Sequence, residues 1–339
     1  MKRGSFPPEN PWLVASIDYN HGGRAVMARR LVARAAAAGA HAVKVAIRET
    51  RGKGTPELKS VSWPLLDRLG EHRNSVWSRL ELSQNGLAAA RREAHRRIAF
   101  VAAPHSLATF KMAKSLRPDV YQIDPSALGD LPLVQAISRT KRPVLLVAGI
   151  CTEAGIAAAL RALGGAQVVV MHTVASVPLP ATRTRLGYIQ SLRDRFKMPT
   201  GYLGWERGIS WSLVAAALGA VVIEKPLTID RTLDGPLHSW SLEPDELSAL
   251  ADNLREMPAA LESGGRRSVF VEELDGMADA GHSLVAKRRL GRGTRLRSSH
   301  FKVEAPMGGL SPQLLEWIEG RRLLYDLEGG EPLTFGLVE

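Results

Sequence analysis

"GAVVIEKPLTIDR", residues 219–231, decides how the rest of the chain is read. The apolar run Ala220-Val221-Val222-Ile223 halts at Glu224 and Lys225, and Pro226 follows at once. An unbroken apolar run of this length is the mark of a parallel strand buried on both faces. Functional groups of parallel barrels gather where such strands end. Glu224 and Lys225 alternate along the strand, so only one of them can face inward.

Seven more runs of this kind precede it, at 12–17, 42–47, 98–102, 119–123, 143–147, 167–171 and 200–203. Amphipathic stretches at 24–39, 83–97, 106–116, 152–163, 183–196 and 208–219 lie between them. Alternating strands and helices require a parallel sheet. Eight strands up to residue 262 fit a (β/α)₈ barrel, whose usual length is about 250 residues. The long first connection, 48–97, is expected to hold an additional helical excursion. Residues 263–282 read as a linker that opens with the Gly-rich "SGGRRS". From 283 to 339 the pattern changes to short β-type runs with Gly-rich turns and one short helix. Such a module is too small for a large core of its own.

Composition limits the function. The 339 residues carry a net charge of +11, which favours acidic partners, but the arginines are scattered through Ala-rich helices. The most basic window, "KRRLGRGTRLR" (287–297), is broken by Leu, Gly and Thr and has no aromatics between its charges. It reads as a solvated surface, not a nucleic-acid site. One cysteine, Cys151, excludes an intrachain disulfide or a Cys-rich metal site and fits a reducing cytosol. The N-terminal "MKRGSFPPENPW" lacks a signal-peptide apolar region, and no run has the length of a membrane span. A cytoplasmic protein with a small-molecule substrate is expected, with no nucleic-acid or membrane partner.

The strand ends supply the candidate site. Strand 1 delivers Asp18, Asn20 and His21; strand 2 Lys44; strand 3 His105; strand 4 Gln122 and Asp124; strand 6 His172; strand 7 Trp205 and Glu206; strand 8 Glu224. Lys44 is either a Schiff-base or anion-binding lysine, or one member of an ion pair inside the barrel with Glu224 or Asp18. Asn20 and His21 either bind or brace the first loop. His172 is either a ligand-binding group or a satisfied core histidine. No phosphate loop, nucleophile elbow or dinucleotide fingerprint is present.

In order, "VASIDYNHGG", "AGAHAVKVA", "MHTVASVPLP", "GYLGWERG", "VVIEKPLTIDRTLDGPLHSWSLEPDEL" and "SLVAKRRLGRGTRL" resemble the sialic acid synthase (N-acetylneuraminate synthase) family. The resemblance runs nearly end to end, and the C-terminal module resembles that family's antifreeze-like SAF domain. It implies condensation of phosphoenolpyruvate with an N-acetylated aldose. It also implies a divalent metal, and a homodimer in which each SAF domain caps the partner's barrel. Asn20, His21, Gly23, Lys44, His172, Glu224 and Lys225 match the family pattern, and the resemblance implies that Glu224 faces the pocket and that Lys225 is structural. The two positions of the family's metal-binding histidines are occupied by Trp205 and Pro226, which have no oxygen or imidazole to offer. Its phosphate-binding positions are Ala103, Gln122, Pro125, Val147 and Val177. Its catalytic Glu position is Ser16, its sugar-binding Asp position Leu237, and its SAF-domain Arg position Ala305.

These departures lead to a specific expectation: a divergent, metal-independent relative with no cofactor. It would use Lys44 and Glu224 in catalysis, forming or cleaving a carbon–carbon bond in an anionic or sugar-like molecule. Asp18, Asn20, His21, Gln122, Asp124, His172, Trp205 and Glu206 would bind that molecule. A non-catalytic binding or regulatory barrel and a conventional metal-dependent synthase are the alternatives.

Overall fold

The computed structural model describes residues 6, 8, 10–48, 78–176, 179–262 and 270–339. Two compact units divide the chain at Glu262 and Ser263. The expected excursion after the second strand and the start of the expected linker fall largely outside the described residues, as does Val177.

The first unit is a closed, all-parallel barrel of eight strands in sequence order. They are β1 (Trp12–Ser16), β2 (Ala42–Ile47), β3 (Ala99–Pro104), β4 (Val120–Ile123), β5 (Val144–Ala148), β6 (Val168–His172), β7 (Thr200–Leu203) and β8 (Ala220–Pro226). β1 closes the barrel by pairing with β2 (Ser16 opposite Lys44) and with β8 (Val14 opposite Glu224, Ser16 opposite Pro226). Val14, Ala42, Val101, Val120, Leu145, Val147, Val169, Met171, Leu203 and Val222 fill the interior as one apolar cluster. Strand alternation then fixes the next inward layer toward the C-terminal rim: Ser16, Lys44, Ala103, Gln122 and Glu224.

Helices cover the outside because their apolar residues recur at helical spacing. In α1 (Ala25–Ala37) the buried positions are Ala28, Leu31, Val32 and Ala35, one face of the helix. α2 (Gln84–Ala94) begins where the Ser83 side chain accepts from the Gly86 amide, and α3 (Leu107–Ser115) begins at a Ser106–Thr109 capping box. α4 (Leu131–Ser138) and α5 (Glu153–Leu163) follow β4 and β5, with Gly164 in the left-handed conformation closing α5. The amphipathic stretch 183–196 is two helices, α6 (Ala181–Thr184) and α7 (Tyr188–Phe196), because Arg185 turns left-handed between them. α8 (Ser210–Ala217) leads into β8, and α9 (Pro244–Leu261) completes the ring.

The segment after β8 is a clasp. Leu227 pairs with Leu242, Thr228 Oγ1 lies 2.6 Å from His238 Nδ1, and Arg231 reaches Glu246 at the start of α9. The second unit contains the antiparallel pair β9 (Ser283–Ala286) and β10 (Phe301–Glu304) and a separate core around Leu284, Leu296, Ile318 and Leu333.

Candidate functional site

The inward layer at the C-terminal rim holds a buried charge cluster. The Lys44 ammonium donates to Asp18 Oδ2 and to Asp124 Oδ2 at 3.3 Å, and lies 3.8 Å from Glu224 Oε1. The Gln122 amide donates to Asp124 Oδ1 at 2.8 Å and to Glu224 Oε1 at 3.4 Å. The other oxygen of Asp18 accepts from the Ala46 amide at 2.6 Å, which fixes its rotamer. β2 and β8 thus each supply one polar group, β4 supplies Gln122 with Asp124 just past its end, and Asp18 follows the end of β1. Lys44 is 3% exposed and Glu224 is fully buried.

Burial disfavours the Lys44 charge, but Asp124, Asp18 and Glu224 outweigh it and hold the ammonium well above the ordinary lysine range. Burial raises Glu224 to about 8 against the pull of Lys44, with Asp124 and Asp18 adding to the rise. Asp124 moves the other way: burial is overcome by Lys44 and by a hydrogen bond from His105. Glu224, which lies farther from the ammonium than Asp18 and Asp124, therefore keeps its proton near neutrality. A carboxyl poised there can act as acid or base, and Lys44 supplies a fixed positive charge beside it.

His105 joins this cluster from β3. Its Nε2 lies 3.0 Å from Asp124 Oδ2 and its Nδ1 3.1 Å from Ser126 Oγ. Burial and the Arg48 charge lower its pKa against the pull of Asp124, so the ring is neutral at pH 7. It was not chosen as a binding residue from sequence, although its place just past a strand end was the available signal. Beside the cluster is a cavity of about 20 Å³, room for about one water, lined in part by Tyr19, His21, Ala46, Arg48 and Glu81. The Arg48 guanidinium lies 5.2 Å over the Tyr19 ring.

Other sequence candidates take different places. Trp205 packs against the interior cluster at the end of β7, within the mouth. Asn20 is a brace: its amide donates to Leu227 O at 2.8 Å and Ser241 Oγ at 2.7 Å, tying the first loop to the clasp. His21 Nδ1 accepts from the Gly23 amide at 3.2 Å within the same loop, and burial lowers its pKa to about 4. Gly23 is required there, since its φ is +70° and a Cβ would come within 2.2 Å of the Arg79 carbonyl.

His172 and Glu206 were expected in the pocket and do not lie there. Val169 and Met171 face the axis, so His172 faces the helices. Its Nε2 bonds Thr184 O at 2.8 Å, and its ring stacks on Tyr202. Glu206 accepts from Lys225 at 3.0 Å, Tyr202 at 2.8 Å and Ser212 at 3.1 Å, a buried ion pair outside the strands. Lys225 also donates to the Glu206 carbonyl at 2.6 Å.

A divalent metal finds few donors here. Trp205 and Pro226 at the ends of β7 and β8 provide none, and the centre of the carboxylates is filled by the Lys44 ammonium. Among the described residues, no group of three or more His, Cys, Asp and Glu is arranged to hold a metal ion. The described residues at these strand ends do not fit the metal that the resemblance implies.

A closed parallel barrel with polar side chains converging at its C-terminal rim defines a (β/α)₈ protein. The comparisons carry this further. A family model described as the NeuB family matches residues 31–266, and a SAF domain model matches residues 281–339. The chain belongs to the NeuB family and ends in a SAF domain.

It is 28% identical to the N,N'-diacetyllegionaminic acid synthase of Campylobacter jejuni, over 91% of this chain and 94% of that one. It is 26% identical to the N-acetylneuraminate-9-phosphate synthase of Drosophila melanogaster, over 96% of this chain and 95% of that one. Among solved structures it is similar to the N-acetylneuraminic acid synthetase of Leptospira borgpetersenii in complex with citrate. The TM-score is 0.67 at 26% identity, covering 79% of this chain and 90% of that one. Among the described residues no helix is long and apolar enough to cross a membrane.

Proposed function

We propose that this chain is a divergent sialic-acid-synthase-like enzyme of carbohydrate or secondary-metabolite biosynthesis that works without a divalent metal. It forms or cleaves a carbon–carbon bond in a polar, sugar-like small molecule. The carrying observation is the Lys44 ammonium set among Asp18, Asp124 and Glu224 on the barrel axis. A fixed ammonium can polarise a carbonyl as a cation does, and a protonated Glu224 beside it can deliver the proton. In the bond-forming direction an enolate carbon adds to the carbonyl carbon. The enolate pair becomes the new carbon–carbon bond, and the carbonyl π pair takes the Glu224 proton as a new O–H bond. Cleavage runs the same steps backward, with Glu224 as base.

Lys44 and Glu224 are the proposed catalytic residues, and Asp18, Gln122, Asp124, His105 and Trp205 the proposed substrate contacts. The enzyme is a cytoplasmic homodimer in this reading. Each SAF unit caps the partner's barrel, which gives a module with a small core a surface to rest on. Crosslinking and sedimentation of the full chain test that part.

The test of the reaction is metal analysis of purified protein together with turnover assays. The expected result is turnover in the presence of chelator with no bound metal. Stoichiometric Mn²⁺, with phosphate released from phosphoenolpyruvate and N-acetylmannosamine, would show a conventional synthase instead. Absence of turnover with every aldehyde and enol donor tried, alongside tight binding to another protein, would show a binding subunit.

A further inference from the structure

We infer that Ser126, His105 and Asp124 form a nucleophilic serine site at the barrel rim, which takes the acyl group of a small carboxylic ester and passes it to water. This activity is separate from the carbon–carbon chemistry of Lys44 and Glu224 and does not depend on it.

The geometry is a relay of linked hydrogen bonds. Ser126 Oγ lies 3.1 Å from His105 Nδ1, and His105 Nε2 lies 3.0 Å from Asp124 Oδ2. A hydroxyl within reach of a base, with the base oriented by a third group, is the arrangement that activates a serine. Asp124 decides which ring nitrogen carries the proton. Burial works against its ionisation, and Lys44 and His105 overcome it, so the carboxylate stays charged. An ionised carboxylate only accepts, so His105 donates from Nε2, and Nδ1 is left to accept from the Ser126 hydroxyl. The ring nitrogens are used in the opposite order from the usual serine hydrolase, and the roles follow from the partners.

The base and its orienting group are held in place. The His105 amide donates to Ile47 O at 3.2 Å and to Thr109 Oγ1 at 3.0 Å. Asp124 Oδ1 accepts from Gln122 at 2.8 Å, and Oδ2 also accepts from Lys44 at 3.3 Å. The His105 and Asp124 side chains are 13% and 9% exposed, whereas Ser126 is exposed on the single turn Pro125–Ala127. Its hydroxyl has no other hydrogen-bond partner among the described residues, so it caps no helix and braces no loop. An open hydroxyl over a covered base can reach a small acyl group presented at the rim, such as an acetyl ester.

In the reaction, Ser126 Oγ bonds to the ester carbonyl carbon, its proton passes to His105 Nδ1, and the carbonyl π pair moves onto oxygen. When that pair returns, the bond to the leaving alkoxide breaks and the alkoxide takes the proton from His105. Water then attacks the acyl-serine by the same route, giving the carboxylic acid and free Ser126. Burial and the Arg48 charge lower the His105 pKa, Lys44 adds to the fall, and the hydrogen bond and charge of Asp124 oppose it. The imidazole is therefore free to act as a base at neutral pH.

The test treats the full-length protein with p-nitrophenyl acetate, follows p-nitrophenol release, and maps acetylated peptides by mass after acid quench. An acetyl group is expected on the Ser126 peptide, absent in Ser126→Ala. Folded His105→Gln should acetylate about 100-fold more slowly, or slower still. The wild-type rate should rise with pH to a plateau reached by pH 7. Acetyl groups on lysines only, an unchanged rate at Ser126 in folded His105→Gln, or a rate that climbs with hydroxide through pH 9 overturns the inference. Wild-type labelling and its pH profile need no variant, so they decide the matter if His105→Gln does not fold. A wild type left unacetylated at Ser126 overturns the inference and leaves the Lys44 and Glu224 reading untouched. Failure of carbon–carbon turnover sinks that reading alone, and Ser126→Ala should keep whatever carbon–carbon turnover the wild type shows.

Discussion

Lys44 Nζ and Glu224 Oε1 lie 3.8 Å apart inside the barrel, on strands that flank β1 from opposite sides. Their closeness is a product of barrel closure, which brings together residues from the two ends of the first unit. The pair combines a charge that stays on with a proton that comes off near neutrality.

Glu224 should therefore govern a pH dependence. Burial raises its carboxyl from 4.5 to about 8. The native state then holds this proton where the unfolded chain has lost it. The associated stability is fully present below about pH 4.5 and is lost as pH rises toward 8. Relative to Glu224→Gln, the wild type should lose roughly 2–5 kcal/mol between pH 5 and pH 9. Urea unfolding at a series of pH values measures this, and a constant difference across that range contradicts it. Where bond formation uses the protonated acid, its rate should fall above about pH 8.

Lys44→Met should be among the most destabilising single changes in the barrel. It leaves Asp18, Asp124 and Glu224 buried around no counter-charge, an arrangement that costs about 3–5 kcal/mol. The loss should be smaller in an Asp18→Asn, Asp124→Asn background, because fewer carboxylates are then stranded. Denaturant midpoints of the four proteins in the cycle provide the check. Equal losses in both backgrounds would show that Lys44 acts through packing alone.

Lys44 should not form a Schiff base in the resting enzyme. An amine attacks a carbonyl only when deprotonated, and here Asp124, Asp18 and Glu224 hold the proton on despite burial. Borohydride treatment with pyruvate or a sugar aldehyde should leave the Lys44 peptide at its unmodified mass. A stable adduct on that peptide, lost in Lys44→Arg, would refute this. The lysine read from sequence as either a Schiff-base residue or an ion-pair member is placed by geometry in the second role.

The strands were legible because each is an apolar run bounded by turn residues, and eight such runs close a barrel. That Glu224 and Lys225 face opposite ways followed from strand alternation, and which of them turns inward followed from the family resemblance. The Asp18–Lys44–Asp124 contact was less accessible, since these residues lie on three different strands and only the register of β1 to β4 brings them together. His172 misled for a definite reason: "VVVMH" is apolar at every position before the histidine, so the sequence carries no parity to say which face it takes. Glu206 misled because it lies beyond β7, past Gly204, where strand alternation no longer applies. His105 was visible at its strand end, but its partner Asp124 is 19 residues away across a helix.

Lys225 and Glu206 give the sharpest contrast with the inner pair. Lys225 is buried and reaches both the backbone and the side chain of Glu206, whose carboxylate also accepts from Tyr202 and Ser212. Burial lowers the Lys225 pKa against the pull of Glu206, so this ion pair stands on its hydrogen bonds. Lys225→Met leaves Glu206 buried with two hydroxyl donors and no cation, and should cost about 3–5 kcal/mol. Because the pair lies on the helix side of the strands, folded Lys225→Met should keep the pH dependence of stability that Glu224 confers. Urea unfolding of Lys225→Met with and without Glu224→Gln, at a series of pH values, measures that dependence. A changed dependence in Lys225→Met, with the fold intact by circular dichroism, would mean that the outer pair reaches the mouth. In that case Glu206 would regain the binding role that its sequence position suggested.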